Sequence, residues 1–304
     1  MAIAKNDEFE KIYPTLDLAG LTFLQIVDLI EKVVRQKHGN EVTQGSINNC
    51  RGTWHELAFL MEAHRSVLRA TKDLYIVKMA TESSIKFWEV YTKNSRQEYQ
   101  LLVDRLKQKD KPLFIRCSTP DFVVVCKDII NNSTGSKILQ SQIPSLQEIN
   151  QLYRVIKNNC RPDLVKGFIS LKTSNRPDRR YQILVEANVT KFASKYIHTL
   201  DFPLRYDVIG ESNPSDVEVF KAPLMSTLSS AIGSDTEFVE RAIDDETHIT
   251  SSTQLDSYWE RYRGSIPLFI ALLENNVSRT THQAVQRARL FLSFRILKSG
   301  MLPV

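Results

Sequence analysis

The chain has 304 residues, of which 42% are apolar and 25% are charged, a composition typical of a globular protein that buries a sizeable core. Its formal net charge of +5 is compatible with a polyanionic partner but too small to require one. Its four cysteines contain no CxxC pair, which argues against a disulfide scaffold or a zinc site, and the absence of a signal segment or a bilayer-length apolar run favours a cytoplasmic protein with no membrane partner.

Hydrophobic periodicity predicts two helices near the start of the chain, over residues 15–37 and 49–69. The second helix carries an apolar stripe formed by Phe59, Leu60, Ala63 and Val67. Glu56 lies at the head of that stripe, and a carboxylate in such a place must be paired, protonated or bound to a metal. Considered alone, Glu56 fits a paired structural acid.

The middle of the chain mixes strand-like and helix-like segments. We predict strands over 74–80, 113–117, 121–129 and 167–174, and helices over 83–108 and 144–158. Alternation in the last strand places Phe168, Ser170 and Lys172 on one face. Considered alone, Lys172 is typical of a solvent-exposed lysine at the end of a strand. Asp121, which follows Pro120, is likewise typical of the start of a strand.

A helix with clear start signals is predicted over residues 176–198. Pro177 suits its first turn, and Asp178 lies near the positive end of the helix dipole. Arg176, Asp178 and Arg179 would project from this end. Arginine can bind the O6 and N7 atoms of guanine, and aspartate can accept from the N4 amine of cytosine. The alternative is a solvated, salt-bridged helix start.

The last part of the chain gives weaker signals. Two more strands are predicted over 203–211 and 216–222, and residues from 236 onward read as mostly helical. The basic amphipathic segment 282–298 fits packing in the core or at a subunit interface better than a membrane or DNA contact. The expected fold is α/β, a mixed β-sheet flanked by helices.

The charged residues together suit phosphodiester hydrolysis. That reaction needs a divalent metal, hence carboxylates close together, and a cation near the attacking water. Asp121, Lys172 and Glu186 would supply these groups, with oxygen ligands of the kind that Mg²⁺ prefers. Many nucleases place a carboxylate two residues before the lysine, where this chain has Ser170, and Glu186 would replace it. The competing hypothesis is a generic α/β protein with charges placed by chance.

Three segments resemble, in this order, the type II restriction endonucleases that cut at CCGG-centred palindromes, a branch of the PD-(D/E)XK nuclease fold. The segments are GTWHE (52–56), TPDFVVV (119–125) and ISLKTSNRPDRRYQILVEA (169–187). The resemblance implies a PD-(D/E)XK restriction-endonuclease-like core. The expected organisation is one compact unit with three parts: an N-terminal helical segment (1–45), a catalytic core (46–235) and a helical C-terminal part (236–304).

The resemblance also implies roles for individual residues. Asp121 and Glu186 would bind Mg²⁺, with one or two ions per site, and Lys172 would orient or activate the water and stabilise the transition state. Ser170 occupies the vacated acid position, and Glu56 matches a further active-site acid, beside the metal or on a second one. Three residues match those that read the CCGG core: Arg176, Asp178 and Arg179.

The implied reaction is in-line attack by metal-activated water, without a covalent enzyme intermediate. Family members typically cut before the first C of the core and leave a four-base 5′ overhang. Cutting both strands of a palindrome requires at least a homodimer, with a homotetramer as the alternative, and a methyltransferase would protect the host genome of a prokaryotic cell. Two rival hypotheses are an endonuclease reading CCNGG or CCWGG and a DNA-binding protein without cleavage.

Overall fold

The computed structural model describes most of the chain before residue 266. The described residues are 3–71, 73–79, 87–109, 119–130, 138, 145–172, 177–198, 204–210, 214–224 and 240–265. The chain divides into one unit of residues 1–260 and a second of residues 261–304, and the described part of the second unit is the end of a helix. The strand predicted over 113–117 and the amphipathic segment 282–298 lie outside the described residues.

A five-stranded mixed sheet forms the centre of the first unit. Its strands, in spatial order, are β1 (Leu74–Lys78), β2 (Phe122–Cys126), β3 (Val165–Lys172), β4 (Arg205–Gly210) and β5 (Asp245–Thr247). The pairs β1–β2 and β2–β3 are antiparallel, whereas β3–β4 and β4–β5 are parallel. The central residues of β2 and β4 are all buried, as expected for strands covered on both faces.

The bounds of eight α-helices fall within the described ranges, which also contain one helical residue at position 138. They are α1 (Lys5–Ile12), α2 (Phe23–His38), α3 (Gln44–Ala70), α4 (Lys93–Lys109), α5 (Leu146–Ile156), α6 (Pro177–His198), α7 (Pro214–Phe220) and α8 (252–265). The mixed sheet with flanking helices confirms the predicted fold class. None of the helices in these ranges combines the length and apolarity needed to cross a bilayer.

The predicted apolar stripe of α3 packs between α2 and the sheet. The Phe59 ring lies 5.7 Å from that of Phe23 in α2 and 5.2 Å from that of Phe122 in β2, measured between centroids. All three rings are buried. Burial of these rings holds α3, and Glu56 with it, against the sheet near Asp121, the residue that directly precedes β2.

Two predicted helices begin later than their periodicity suggests. The helix predicted from residue 15 starts at Phe23, because Gly20 has a φ of +72° and Thr22 forms a capping box with Gln25. The helix predicted from residue 83 starts at Lys93. Its expected first turns are interrupted at Tyr91, which forms an isolated bridge to Cys160.

The strand predicted over 216–222 is wrong, because these residues belong mainly to α7. The alternation of Val217 and Val219 with polar residues is compatible with a strand over such a short length, but Pro214 starts a helix. The prediction of mostly helical structure from residue 236 is also wrong in part. Strand β5 and irregular chain occupy the described residues 240–251, ahead of α8.

Candidate active site

The carboxyl-terminal half of β3 carries one side of the candidate site. Phe168, Ser170 and Lys172 share a face, as predicted, and all three are buried. Asp121 lies just before β2, which runs antiparallel to β3. Its Oδ2 accepts a hydrogen bond from the backbone N–H of Leu171 at 2.6 Å. The pairing of β2 with β3 therefore fixes Asp121 beside Ser170, although about fifty residues separate them in the chain.

Glu186 reaches the same place from α6, the helix that connects β3 to β4. Its carboxylate is buried, and Oε1 accepts hydrogen bonds from Ser170 Oγ at 3.2 Å and from the Tyr206 hydroxyl. Burial, and then the negative charge of Glu186, raise the pKa of Tyr206 well above its ordinary value. Tyr206 is therefore a protonated donor that orients Glu186.

The carboxyl group of Asp121 lies in a strongly anionic environment. Burial raises its pKa to about 7, and the charges of Glu56 and Glu186 push in the same direction. The hydrogen bond from Leu171 and the charge of Lys78 oppose that shift. Three acids from different parts of the sequence therefore act on one another electrostatically at the end of β3.

Glu56 is paired with a lysine from the neighbouring strand. Its Oε2 accepts from Lys78 Nζ at 2.5 Å, and the same ammonium lies 5.6 Å from the centroid of the Phe122 ring. Glu56 is about a quarter exposed, at 26% of its side chain. This geometry corresponds to the paired alternative that the sequence left open for this acid.

The side chains of Asp121 and Glu186 have the chemistry to bind a divalent metal ion, although they do not by themselves make a complete coordination sphere. Among the described residues, no group of three or more His, Cys, Asp or Glu side chains is arranged to hold one. Asp121 and Glu186 nevertheless present carboxylate oxygens, the ligands that Mg²⁺ and similar ions prefer. A cation would also favour the ionised form of Asp121, opposing the burial and the neighbouring negative charges that raise its pKa.

Lys172 ends β3 with its ammonium in a buried ion pair. Its Nζ donates to Asp216 Oδ2 at 2.9 Å and lies 5.0 Å from the centroid of the Phe220 ring. The other oxygen of Asp216 is 2.8 Å from Nε of Arg180. The lysine thus belongs to a cluster, Lys172–Asp216–Arg180, that joins β3, α6 and α7.

The predicted DNA-reading residues are described only in part. Asp178 and Arg179 belong to the first turn of α6, but their side chains, like the whole of Arg176, lie outside the described residues. Sequence reasoning missed three side chains that complete the site: Tyr206, Lys78 and Asp216. Of these, Tyr206 had a usable signal, because it occurs in a predicted strand whose alternation places it on one sheet face.

Gly210, at the end of β4, permits the close approach of that strand to Lys172. The two residues are register partners, and Gly210 has a φ of +154°. A Cβ on Gly210 would overlap the carbonyl oxygen of Lys172 and come within 2.9 Å of its Cβ. Only glycine suits both the conformation and the contact.

We expect Gly210→Ala to lower the free energy of unfolding by about 1–3 kcal/mol, the usual effect of a strained backbone position. Urea titration followed by circular dichroism measures this change. Gly52→Ala is the matched control, because a Cβ there meets no atom within 4 Å and Gly52 lies inside α3, where alanine is favoured. Equal stability of Gly210→Ala and the wild-type protein would contradict the packing described.

Comparison with known proteins gives matches over most of the chain. Residues 11–262 match the family described as Cfr10I/Bse634I restriction endonuclease. The type II restriction enzyme Cfr10I of Citrobacter freundii is 23% identical over 237 residues, which cover 72% of this chain and 79% of that enzyme.

Two solved structures share the fold. One is Bse634I restriction endonuclease, with a TM-score of 0.73 and 20% identity, and the other is the type IIF restriction endonuclease Bse634I with cognate DNA, with a TM-score of 0.72 and 21% identity. Each comparison covers 86% of this chain and 92% of the other. Because the family match spans most of the sequence, the chain belongs to the Cfr10I/Bse634I family of restriction endonucleases, which are type II site-specific deoxyribonucleases.

Proposed function

We propose that this enzyme hydrolyses both strands of duplex DNA at a short palindrome with a CCGG core, in a reaction that depends on Mg²⁺. It would cut before the first C and leave a four-base 5′ overhang. One observation carries the catalytic part of the proposal. Asp121 and Glu186 are held by adjoining residues of β3, the Leu171 N–H and the Ser170 hydroxyl, on the strand that ends at Lys172.

Asp121 and Glu186 would hold the metal ion, with Glu56 as the further acid beside them. Such an ion, when bound, supplies positive charge to the phosphate and makes water more acidic. Ser170 and Tyr206 both donate to the same oxygen of Glu186, Oε1, and so anchor its carboxylate in one orientation. The two donors therefore fix the direction from which Glu186 approaches the metal.

Lys172 would supply the cation of the reaction. Its ammonium is buried, and water-excluded surroundings strengthen the attraction between a fixed positive charge and the charge that develops on the phosphate. The same group can hold the attacking water through a hydrogen bond. Its position at the end of β3, two residues from Ser170, supports this role.

Recognition of the core would depend on the first turn of α6. Arg176 and Arg179 would bind guanines, and Asp178 would accept from the amine of cytosine. The same helix carries Glu186 two turns further on, so base reading and metal binding share one rigid element. The order Arg-Pro-Asp-Arg favours CCGG, whereas relatives that read CCNGG or CCWGG carry glutamate as the acid.

The palindromic site would require at least a homodimer with an isologous interface, and a homotetramer is the alternative assembly. The proposal includes a methyltransferase that protects the same sequence in the genome of a prokaryotic host, where the enzyme would act in the cytoplasm.

Arg179→Ala is expected to reduce discrimination among core sequences by about 1–3 kcal/mol, the value of one good bidentate base contact. The measurement compares cleavage rates on the cognate duplex and on duplexes with one core base pair replaced. Arg154→Ala, on the exposed side of α5, is the control and should leave the ratio unchanged. An unaltered preference in Arg179→Ala would refute the base-reading role.

Incubation of plasmid DNA with the protein and Mg²⁺ tests the proposed function directly. Discrete fragments whose sequenced ends fall at CCGG-cored sites, and which EDTA prevents, are the expected result. A gel shift without cutting would instead support a DNA-binding protein that does not cleave. Fragment ends at CCNGG or CCWGG sites would support a nuclease but contradict the proposed CCGG core.

A further inference from the structure

We propose that Asp216 is a positioning residue that couples the DNA-reading end of α6 to Lys172. The inference rests on the proposed function, and it assigns Asp216 and Arg180 a part in that reaction. Asp216 touches neither DNA nor the reacting atoms in this proposal. It acts by holding the ammonium of Lys172.

The first observation is burial. The side chains of Lys172 and Asp216 are 2% and 0% exposed, and that of Arg180 is 16% exposed. Charges removed from water must stay paired, because an uncompensated buried charge is strongly unfavourable. Lys172 therefore cannot change position without a change at Asp216.

The second observation is that the two oxygens of Asp216 contact different elements. Oδ2 accepts from Lys172 at the end of β3, and Oδ1 pairs with Arg180 in the first turn of α6. Arg180 directly follows Arg179, one of the proposed base-reading residues. A displacement of the α6 terminus on DNA would therefore be transmitted to the catalytic ammonium through a single carboxylate.

The third observation is that α7 supplies a complete binding position for the ammonium. Asp216 provides the carboxylate, and Phe220, one turn later, places its ring 5.0 Å from Lys172 Nζ, within the range of a cation–π interaction. Helices α6 and α7 also contact each other. The short helix thus holds Lys172 from two sides while Arg180 connects it to the reading helix.

Lysine acetylation measured by mass spectrometry tests the ion-pair arrangement without any need for cleavage. Lys172 should be protected from acetylation in the wild-type protein and should become acetylated in Asp216→Asn. Lys191 is the internal control, because its buried ammonium pairs with Asp244 at 2.6 Å and should stay protected in both. Continued protection of Lys172 in a folded Asp216→Asn protein would overturn the proposal.

Single-turnover cleavage and DNA binding, compared on the same duplex, test the consequence for the reaction. Asp216→Asn should lower the cleavage rate on the order of 10²-fold, as for a small misplacement of a catalytic group, and leave affinity measured in Ca²⁺ nearly unchanged. Glu62→Gln is the matched control, since Glu62 is a buried acid bound to Tyr13 and Arg65. It should cleave as the wild-type protein does.

Arg180→Met tests the coupling itself. It should reduce the preference of cleavage, but not of binding, for the cognate core over a core with one base pair replaced. Combined with Asp216→Asn, it should add little further loss of rate, because both changes interrupt one connection. Additive losses of cleavage rate in the double variant, or equal losses of binding preference and cleavage preference in Arg180→Met, would overturn the proposal.

A wild-type protein that does not cleave DNA would overturn the proposed function instead. The acetylation result would still decide whether Asp216 holds Lys172.

Discussion

Lys172→Ala is expected to lower the rate of DNA cleavage by about 10²–10⁴-fold, the range for loss of one catalytic proton-transfer or charge-stabilising group. Binding of the cognate duplex should stay largely intact, because the proposed base contacts come from the first turn of α6. The measurement is a single-turnover cleavage assay in Mg²⁺, with affinity determined separately in Ca²⁺.

Lys166→Ala provides the matched control for this result. Lys166 lies on the same strand, β3, but its ammonium donates to the carbonyl of Asp163 at 2.7 Å, away from the acids. Its loss should leave cleavage unchanged. Cutting by Lys172→Ala at the wild-type rate would refute the catalytic assignment of Lys172.

Asp121→Asn is expected to reduce cleavage on the order of 10³-fold, because loss of a metal ligand removes several kcal/mol of transition-state stabilisation. The same substitution should make the metal-free protein more stable at alkaline pH. Burial, with the charges of Glu56 and Glu186, raises the pKa of Asp121 to about 7. The folded state therefore binds this proton more tightly than the unfolded state, and stability is lost as the pH rises from the ordinary pKa of 3.8 to about 7.

The stability gained by Asp121→Asn should accordingly widen as the pH rises from about 4 to 7 and level off above that. Urea unfolding in EDTA at a series of pH values measures it. Asp128→Asn, an exposed acid just beyond the other end of β2, is the control and should change neither cleavage nor the pH dependence. A cleavage-competent Asp121→Asn protein would remove Asp121 from the metal site.

The helices and strands that were predicted correctly are those whose buried residues form a recognisable apolar pattern in the sequence. Strands β1 to β4 were identified from short apolar runs rich in β-branched and aromatic residues, and helices α3 and α6 from helical periodicity and start signals. Helix α7 was misassigned because its seven residues are too few for the two periods to differ. The contacts of Asp216 with Lys172 and Arg180, residues distant in sequence, left no local signal either.

The candidate site was predictable to a similar extent. Asp121, Ser170, Lys172 and Glu186 occur in recognisable motifs, and the structure places them around the end of β3. Alternation could place Tyr206 on one sheet face, but neither its hydrogen bond to Glu186 nor the pairing of Glu56 with Lys78 was predictable. Both contacts arise from the register between strands and from the packing of helices against the sheet. Local sequence carries no record of such contacts.

The most direct test of the central claim is anomalous diffraction from a crystal of the enzyme with a CCGG-cored duplex and Mn²⁺. We predict a manganese peak bound by the carboxylates of both Asp121 and Glu186, beside the phosphate 5′ to the first C. A peak that contacts neither carboxylate, or carboxylates too far apart to share an ion, would contradict the account.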